Sequence, residues 1–124
     1  MKIADVMTKE VVKVEHSTKV IDVCRIMGER KIGSVVVTKD GKPYGIFTER
    51  DLLSKVLTGG SLEDEVYKYS STPLVVVSKD YDVREAAKIM KEMNIRRLVV
   101  IENEEVVGIF TASDLVRLLG EGRI

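Results

Sequence analysis

The sequence predicts a mixed α/β (α+β) fold made of two pseudo-symmetric halves, and three observations carry that reading. Residues 11–57 align with residues 74–120 without a gap, giving fifteen identities in 47 positions. In each half, β-branched runs alternate with stretches whose apolar residues recur every three or four positions. The stretch Gly45-Ile46-Phe47-Thr48-Glu49-Arg50-Asp51-Leu52 returns as Gly108-Ile109-Phe110-Thr111-Ala112-Ser113-Asp114-Leu115. Two copies fall short of the three or more repeats a solenoid needs, so the halves, 1–58 and 59–124, are expected to pack on each other sheet to sheet.

Each element has a local reason. Ile3 to Met7 reads as one or two helical turns, and Val11 to Val14 as a short β-branched strand. From Lys19 to Arg30, Val20, Val23, Cys24, Ile26 and Met27 form one apolar helix face, with Ser17 or Thr18 expected to cap it and Asp22 near its positive end. Ile32 to Thr38 and Pro43 to Phe47 form a hairpin across Asp40-Gly41, and a helix follows from Glu49 to Leu57. The glycine pair Gly59-Gly60 separates the halves.

After it the pattern restarts. Leu62 to Tyr69 matches the opening helix, Leu74 to Val77 the first strand, and Val83 to Met93 the long helix, with Asp82 and Glu85 spaced as a capping box. Asn94 is placed to end that helix in a left-handed conformation, as Lys31 ends its counterpart. Ile95 to Ile101 and Val106 to Phe110 make the second hairpin, and Ala112 to Leu119 the last helix. Each half is therefore strand-helix-strand-strand-helix.

Composition narrows the function. At 124 residues the chain can bury roughly two-thirds of its unfolded surface as one compact unit. Twenty basic residues balance twenty acidic ones, so bulk attraction to nucleic acid or anionic membrane is not expected, and any anion site must be local. The single cysteine, Cys24, excludes an internal disulfide and reads as core. His16 reads as a surface residue, and Met27, Met90 and Met93 as helix-face packing. No signal peptide opens the sequence and no apolar run reaches about eighteen residues, so a cytoplasmic protein is expected.

The repeated stretch points to chemistry. A strand runs into a helix whose Thr suits the N-cap and whose first turn carries an Asp. Free N–H groups and the dipole favour an anion there, while an Asp can accept hydrogen bonds from both hydroxyls of a ribose, a combination that suggests a nucleotide. The glycine at the start of each copy lets a ligand approach the backbone. Asp114 is expected to add only a small helix-start charge term to stability, about 0.3–1 kcal/mol.

Over nearly its whole length the chain resembles a tandem pair of cystathionine-β-synthase (CBS) domains, known as a Bateman module. The resemblance rests on Asp5-Val6-Met7-Thr8 followed by Val11 to Val14, on Ile95-Arg96-Arg97-Leu98-Val99-Val100, and on Gly-Ile-Phe-Thr-x-x-Asp at 45–51 and 108–114. It implies a non-enzymatic regulatory module that binds adenine nucleotides such as AMP, ADP or ATP, or less often S-adenosylmethionine or NAD, as regulatory ligands rather than cofactors. It also implies two clefts, each shared between the repeats. The first would use Thr8, Val12, Arg96, Arg97, Ile109, Thr111, Ser113 and Asp114. The second would use Gly33, Ser34, Ile46, Thr48, Arg50, Asp51, Ser71, Thr72 and Val75. Gly33 and Ser34 stand where the first has its arginine pair, so the first cleft is expected to hold phosphate more tightly.

The resemblance further implies a homodimer. Leu52, Leu53, Val56 and Leu57, with Leu115, Val116, Leu118 and Leu119, exceed what one core-facing stripe requires. Other readings are a dimeric scaffold with vestigial pockets, an enzyme using Asp51 or Asp114 as base, and a nucleic-acid binder with a patch at Lys91, Arg96 and Arg97. Intact Thr and Asp in both copies oppose the first, and the lack of a metal set or second catalytic group opposes the enzyme. Neutral charge opposes the last.

Overall fold

The computed structural model describes residues 1–124, and its element order follows the duplicated pattern. Two compact units emerge, and they divide the chain differently from the sequence repeats 1–58 and 59–124. The N-unit is Val12–Leu74, and the C-unit is Val75–Ile124 together with Met1–Val11. Backbone pairing explains the exchange. Ile3 N–H donates to Tyr81 O (2.8 Å) and Ala4 N–H to Lys79 O (3.0 Å), while Val66 N–H donates to Thr18 O (2.8 Å). The opening segment of each repeat thus belongs to the unit built on the other repeat.

In the N-unit, β1 (Lys13–Glu15) pairs parallel with β2 (Ser34–Lys39), which pairs antiparallel with β3 (Lys42–Thr48). The parallel pair needs a crossover, and α1 (Val20–Arg30) supplies it. Its Val20, Val23 and Met27 are buried with Val35, Val37 and Phe47 of the sheet, and Val56 and Val66 complete the core. Asp40 (φ 52°) and Gly41 (φ 77°) both take the left-handed conformation, the requirement of a tight hairpin turn.

Ser17 and Thr18 do not cap α1. Its N-cap is Lys19, which makes no side-chain cap hydrogen bond. The helix's first donors are satisfied by backbone instead, Val20 N–H by Asp64 O and Ile21 N–H by Leu62 O, each at 2.9 Å. The next helix also departs from a uniform Glu49–Leu57. Here α2 (Glu49–Asp51) widens into a π turn over Leu52–Val56, closed by Leu57 N–H to Leu52 O (3.0 Å). The side chains explain it: the Ser54 hydroxyl donates to Arg50 O (2.6 Å) and that of Thr58 to Ser54 O (2.7 Å), competing with the helical ladder.

The C-unit repeats the plan with β4 (Val76–Ser78), α3 (Val83–Met93), β5 (Arg97–Glu102), β6 (Glu105–Thr111) and α4 (Ala112–Gly120). β4 is parallel to β5 and β6 antiparallel to it. Ile3, Val6, Val83, Ala86, Met90, Leu98, Phe110 and Leu118 share its core. Asp82 caps α3 through Arg84 N–H (2.8 Å) and its second oxygen meets the Met1 ammonium (3.2 Å), but no capping box with Glu85 forms. Lys31 (φ 54°) and Asn94 (φ 53°) both end their helices in the left-handed conformation.

Several burials differ from expectation. Met93 is 53% exposed and does not pack, lying in the last turn of α3 off its buried face. His16 is half-buried rather than a surface residue, its ring tilted against Tyr67 at 5.9 Å and its Nδ1 3.5 Å from Glu15 Oε2. Cys24 is half-buried, which pushes its thiol up. β1, β2, β4 and β5 start two residues later than the β-branched runs, and β3 and β6 one residue earlier, because pairing rather than propensity sets strand ends. No helix is long and apolar enough to cross a membrane.

Two glycine substitutions separate backbone entropy from space. A Cβ on Gly28, in exposed α1, meets nothing within 4 Å, so Gly28→Ala is expected to stabilise by about 0.5–1 kcal/mol. A Cβ on Gly45 would lie 2.8 Å from the Ser71 carbonyl oxygen and the Thr72 methyl, so Gly45→Ala is expected to destabilise by about 1–3 kcal/mol. Denaturant midpoints of the two variants should move in opposite directions, and a shared direction would refute the packing of 70–72 on Gly45.

Candidate ligand sites at the strand-to-helix junctions

Each closing strand ends in a Thr that becomes the N-cap of the following helix. In the C-unit, Thr111 N–H and hydroxyl both donate to Asp114 Oδ2 (2.8 and 3.1 Å), and Asp114 N–H donates to Thr111 Oγ1 (3.2 Å). In the N-unit, Thr48 and Asp51 repeat the arrangement at 3.0, 3.1 and 3.2 Å. Both form reciprocal capping boxes with Asp rather than Glu at the third position. The two carboxylates are the buried acids of the chain, Asp51 4% and Asp114 9% exposed. A buried carboxylate must be hydrogen-bonded, and the box provides that for one oxygen of each. In the N-unit the other oxygen, Asp51 Oδ1, accepts from the Ser71 hydroxyl of the opening segment (3.3 Å).

That segment crosses close by. Thr8 and Ile109 exchange backbone hydrogen bonds (3.0 and 2.9 Å), and Ser71 and Ile46 do the same (2.8 and 3.1 Å). The glycines that precede the Ile residues are explained here. A Cβ at Gly108 would collide with the Met7 side chain, as one at Gly45 would with 71–72, so the close approach expected of a ligand is made by the chain itself. The register sets Arg97 opposite Thr111 and Ser34 opposite Thr48. The Arg96 carbonyl accepts from Ala112 N–H (2.9 Å) and the Gly33 carbonyl from Glu49 N–H (3.1 Å), which brings both pairs to the start of their helices.

Thr8, Arg96, Arg97, Ile109, Thr111, Ser113 and Asp114 therefore gather in the C-unit, and Gly33, Ser34, Ile46, Thr48, Arg50, Asp51, Ser71 and Thr72 in the N-unit. Ser113 and Arg50 are exposed in the first turn of their helices. Val12 lies in the N-unit, its carbonyl accepting from Val36 N–H, and Val75 in the C-unit, its carbonyl accepting from Val99 N–H.

Sequence reading missed two cations. Lys55 Nζ sits 3.0 Å from Asp51 Oδ1 and donates to Tyr69 O (3.2 Å), while Arg117 sits 3.5 Å from Asp114 Oδ1 and donates to Val6 O (3.3 Å). They occupy different positions in the duplicated alignment, so the repeat gave no signal for them. Tyr69 also donates through its hydroxyl to Asp64, which holds the Asp64 carboxyl below the usual range. Elsewhere in the N-unit, a cleft of about 420 Å³ is lined by Cys24, Met27, Gly28, Lys31, Ile32, Glu49 and Leu52, and contains neither Thr48 nor Asp51.

Comparison with known proteins meets this geometry twice over. The model of the CBS domain matches residues 3–58 and again 66–121. The chain belongs to the CBS-domain family. An uncharacterized protein of Methanopyrus kandleri is 34% identical over 122 residues, covering 95% of this chain and 62% of its own. The crystal structure of an uncharacterized conserved protein from Pyrococcus horikoshii superposes with a TM-score of 0.89 at 32% identity, over 95% of this chain and 91% of that one. A CBS domain pair solved in complex with 5′-methylthioadenosine and S-adenosyl-L-methionine shares the fold at a TM-score of 0.87 and 24% identity, each chain covered to 98%. This CBS pair spans 32 to 62% of the length of the first curated relatives it matches.

The boxes revise the weight given to Asp114. Its loss leaves the Thr111 N–H without its acceptor at a nearly buried position, a larger effect than a helix-start charge. Asp114→Ala is expected to destabilise this CBS pair by about 1–3 kcal/mol, and Thr111→Val by a similar amount, read as lower denaturant midpoints. The double variant should cost less than the sum, since both remove one network, and strict additivity would show that the box does not act as a unit.

Proposed function

We propose that this CBS pair is a non-enzymatic regulatory module that senses an adenosine-containing ligand, with AMP, ADP or ATP as first candidates. One observation carries the reading. Twice in one chain, a nearly buried aspartate is fixed by its own helix cap at a junction where a segment from the other repeat pairs with the closing strand. A carboxylate so oriented can accept from ribose hydroxyls, and the helix start beside it favours phosphate. The adenosine part common to AMP, 5′-methylthioadenosine and S-adenosylmethionine is what such a junction would read, so these three belong in one panel.

Thr8 and Ile109 would pack beside the base, Asp114 would take the ribose, and Thr111, Ser113, Arg96 and Arg97 the phosphate. The Asp51 site, with Ile46, Thr48, Arg50, Ser71 and Thr72, would bind more weakly. Guanidinium groups hold phosphate oxygens in charge-assisted pairs, and Gly33 and Ser34 offer none. The exposed Leu53 of the π turn and Leu57 at its end, with Val116 and Leu119 of α4, leave apolar helix faces that we assign to a second copy of the chain.

Calorimetry with AMP, ADP, ATP, their 2′-deoxy forms, 5′-methylthioadenosine and S-adenosylmethionine tests the reading, with sedimentation on the same samples. Two sites differing by at least about tenfold are expected for AMP, with Arg97→Ala weakening the tighter one and 2′-deoxy forms binding worse. The sedimenting mass should be twice the 13.9 kDa chain. Two equal sites and an indifferent Arg97→Ala would reject the phosphate assignment, and no binding by any member of the panel would reject the function.

A further inference from the structure

The two cations missed by sequence reading converge on one place. Val6 and Tyr69 are equivalent in the duplication, and so are Asp114 and Asp51, yet Arg117 is equivalent to Ser54 and not to Lys55. Two different helix positions therefore deliver a positive charge between the same aspartate oxygen and the same carbonyl of the opening segment. In α4 an ordinary α turn brings the residue three along from Asp114 to that point. In α2 the π turn does it. A turn widened to i→i+5 stacks residue 55 nearly over residue 51, and Ser54, where the other repeat has its arginine, supplies the hydroxyl that widens it.

The two arrangements differ in strength. Lys55 approaches to 3.0 Å, and Asp51 Oδ1 also accepts from the Ser71 hydroxyl at 3.3 Å, so both of that oxygen's lone-pair directions are occupied by the chain. Arg117 stands off at 3.5 Å and divides its donors among Asp114, Val6 O and Glu121. A ribose hydroxyl can reach Asp51 only by displacing a donor already in place.

We propose that Lys55 and Ser71 form an internal latch on Asp51, holding the N-unit site closed to sugar hydroxyls and making the two sites unequal independently of phosphate. The inference rests on the assignment of the two aspartates to ribose. Lys55 and Ser71 act here as specificity-determining residues that compete with the ligand for one oxygen.

Adenosine is the probe, because it carries the ribose without phosphate. Its titration is followed site by site through the backbone amide signals of Thr48 and Thr111 in the full chain by NMR. In the wild type the Thr111 signal should respond at lower adenosine concentration than that of Thr48. In Lys55→Met/Ser71→Ala the Thr48 midpoint should fall about fivefold to tenfold, the scale of losing one partly exposed ion pair and one hydrogen bond as competitors, while the Thr111 midpoint stays put. Ser71→Ala alone should give a smaller shift in the same direction, and serves if the double variant melts early. A Thr48 midpoint that is unchanged or raised in both variants, with Thr111 responding normally, overturns the latch alone. Silence of both signals in every protein overturns the ribose assignment and the latch together.

Discussion

Everything else in each unit is arranged around the reciprocal hydrogen bonding of a threonine and an aspartate three residues apart. The Thr–Asp box fixes the angle at which the closing strand enters its helix, removes orphan donors from the helix start, and holds a carboxylate where water barely reaches it. A helix of nine residues or fewer has little intrinsic stability, so the box and the leucines beneath it carry much of the work of ordering it. The same rigidity fixes where the second oxygen of each carboxylate stands. In the proposed reading one side chain thus serves both the fold and the ligand, so Asp114→Ala is expected to lower stability and affinity together.

The second constraint is the opening segment. Its pairing with Ile109, and that of 70–72 with Ile46, closes the edge of β6 and β3 at the point where the helix begins. Gly108 and Gly45 are small because that strand of chain lies on them. The exchange of opening segments between repeats follows: each unit requires residues supplied from the far side of a repeat boundary, so neither sequence repeat contains a complete candidate site. Residues 59–74 are more than a linker, since Leu62, Asp64 and Val66 satisfy the start of α1 and fill the core beneath it.

The architecture was legible because it rests on periodic signals that recur. The Val20, Val23, Met27 face, the Asp40-Gly41 turn and the left-handed Asn94 each follow from local physical chemistry, and each is present. What escaped depends on tertiary competition. Ser17 and Thr18 are good caps in isolation, but backbone carbonyls from 62 and 64 reached the same donors first. The π turn in α2 has no periodic signature, because it comes from two hydroxyls folding back onto the helix. Lys55 and Arg117 lay hidden for the opposite reason, since a search by equivalence passes over residues that solve one problem from unequal positions.

We propose that the two capped junctions, and not the apolar cleft beside Cys24, are where this CBS pair meets its ligand. Amide hydrogen exchange in the presence and absence of saturating AMP tests it most directly. Added protection should concentrate at Thr8 and at Ile109 to Asp114, with a smaller change at Ile46 to Asp51 and Ser71. Protection confined instead to Cys24 through Ile32, with both junctions unchanged, would contradict the account.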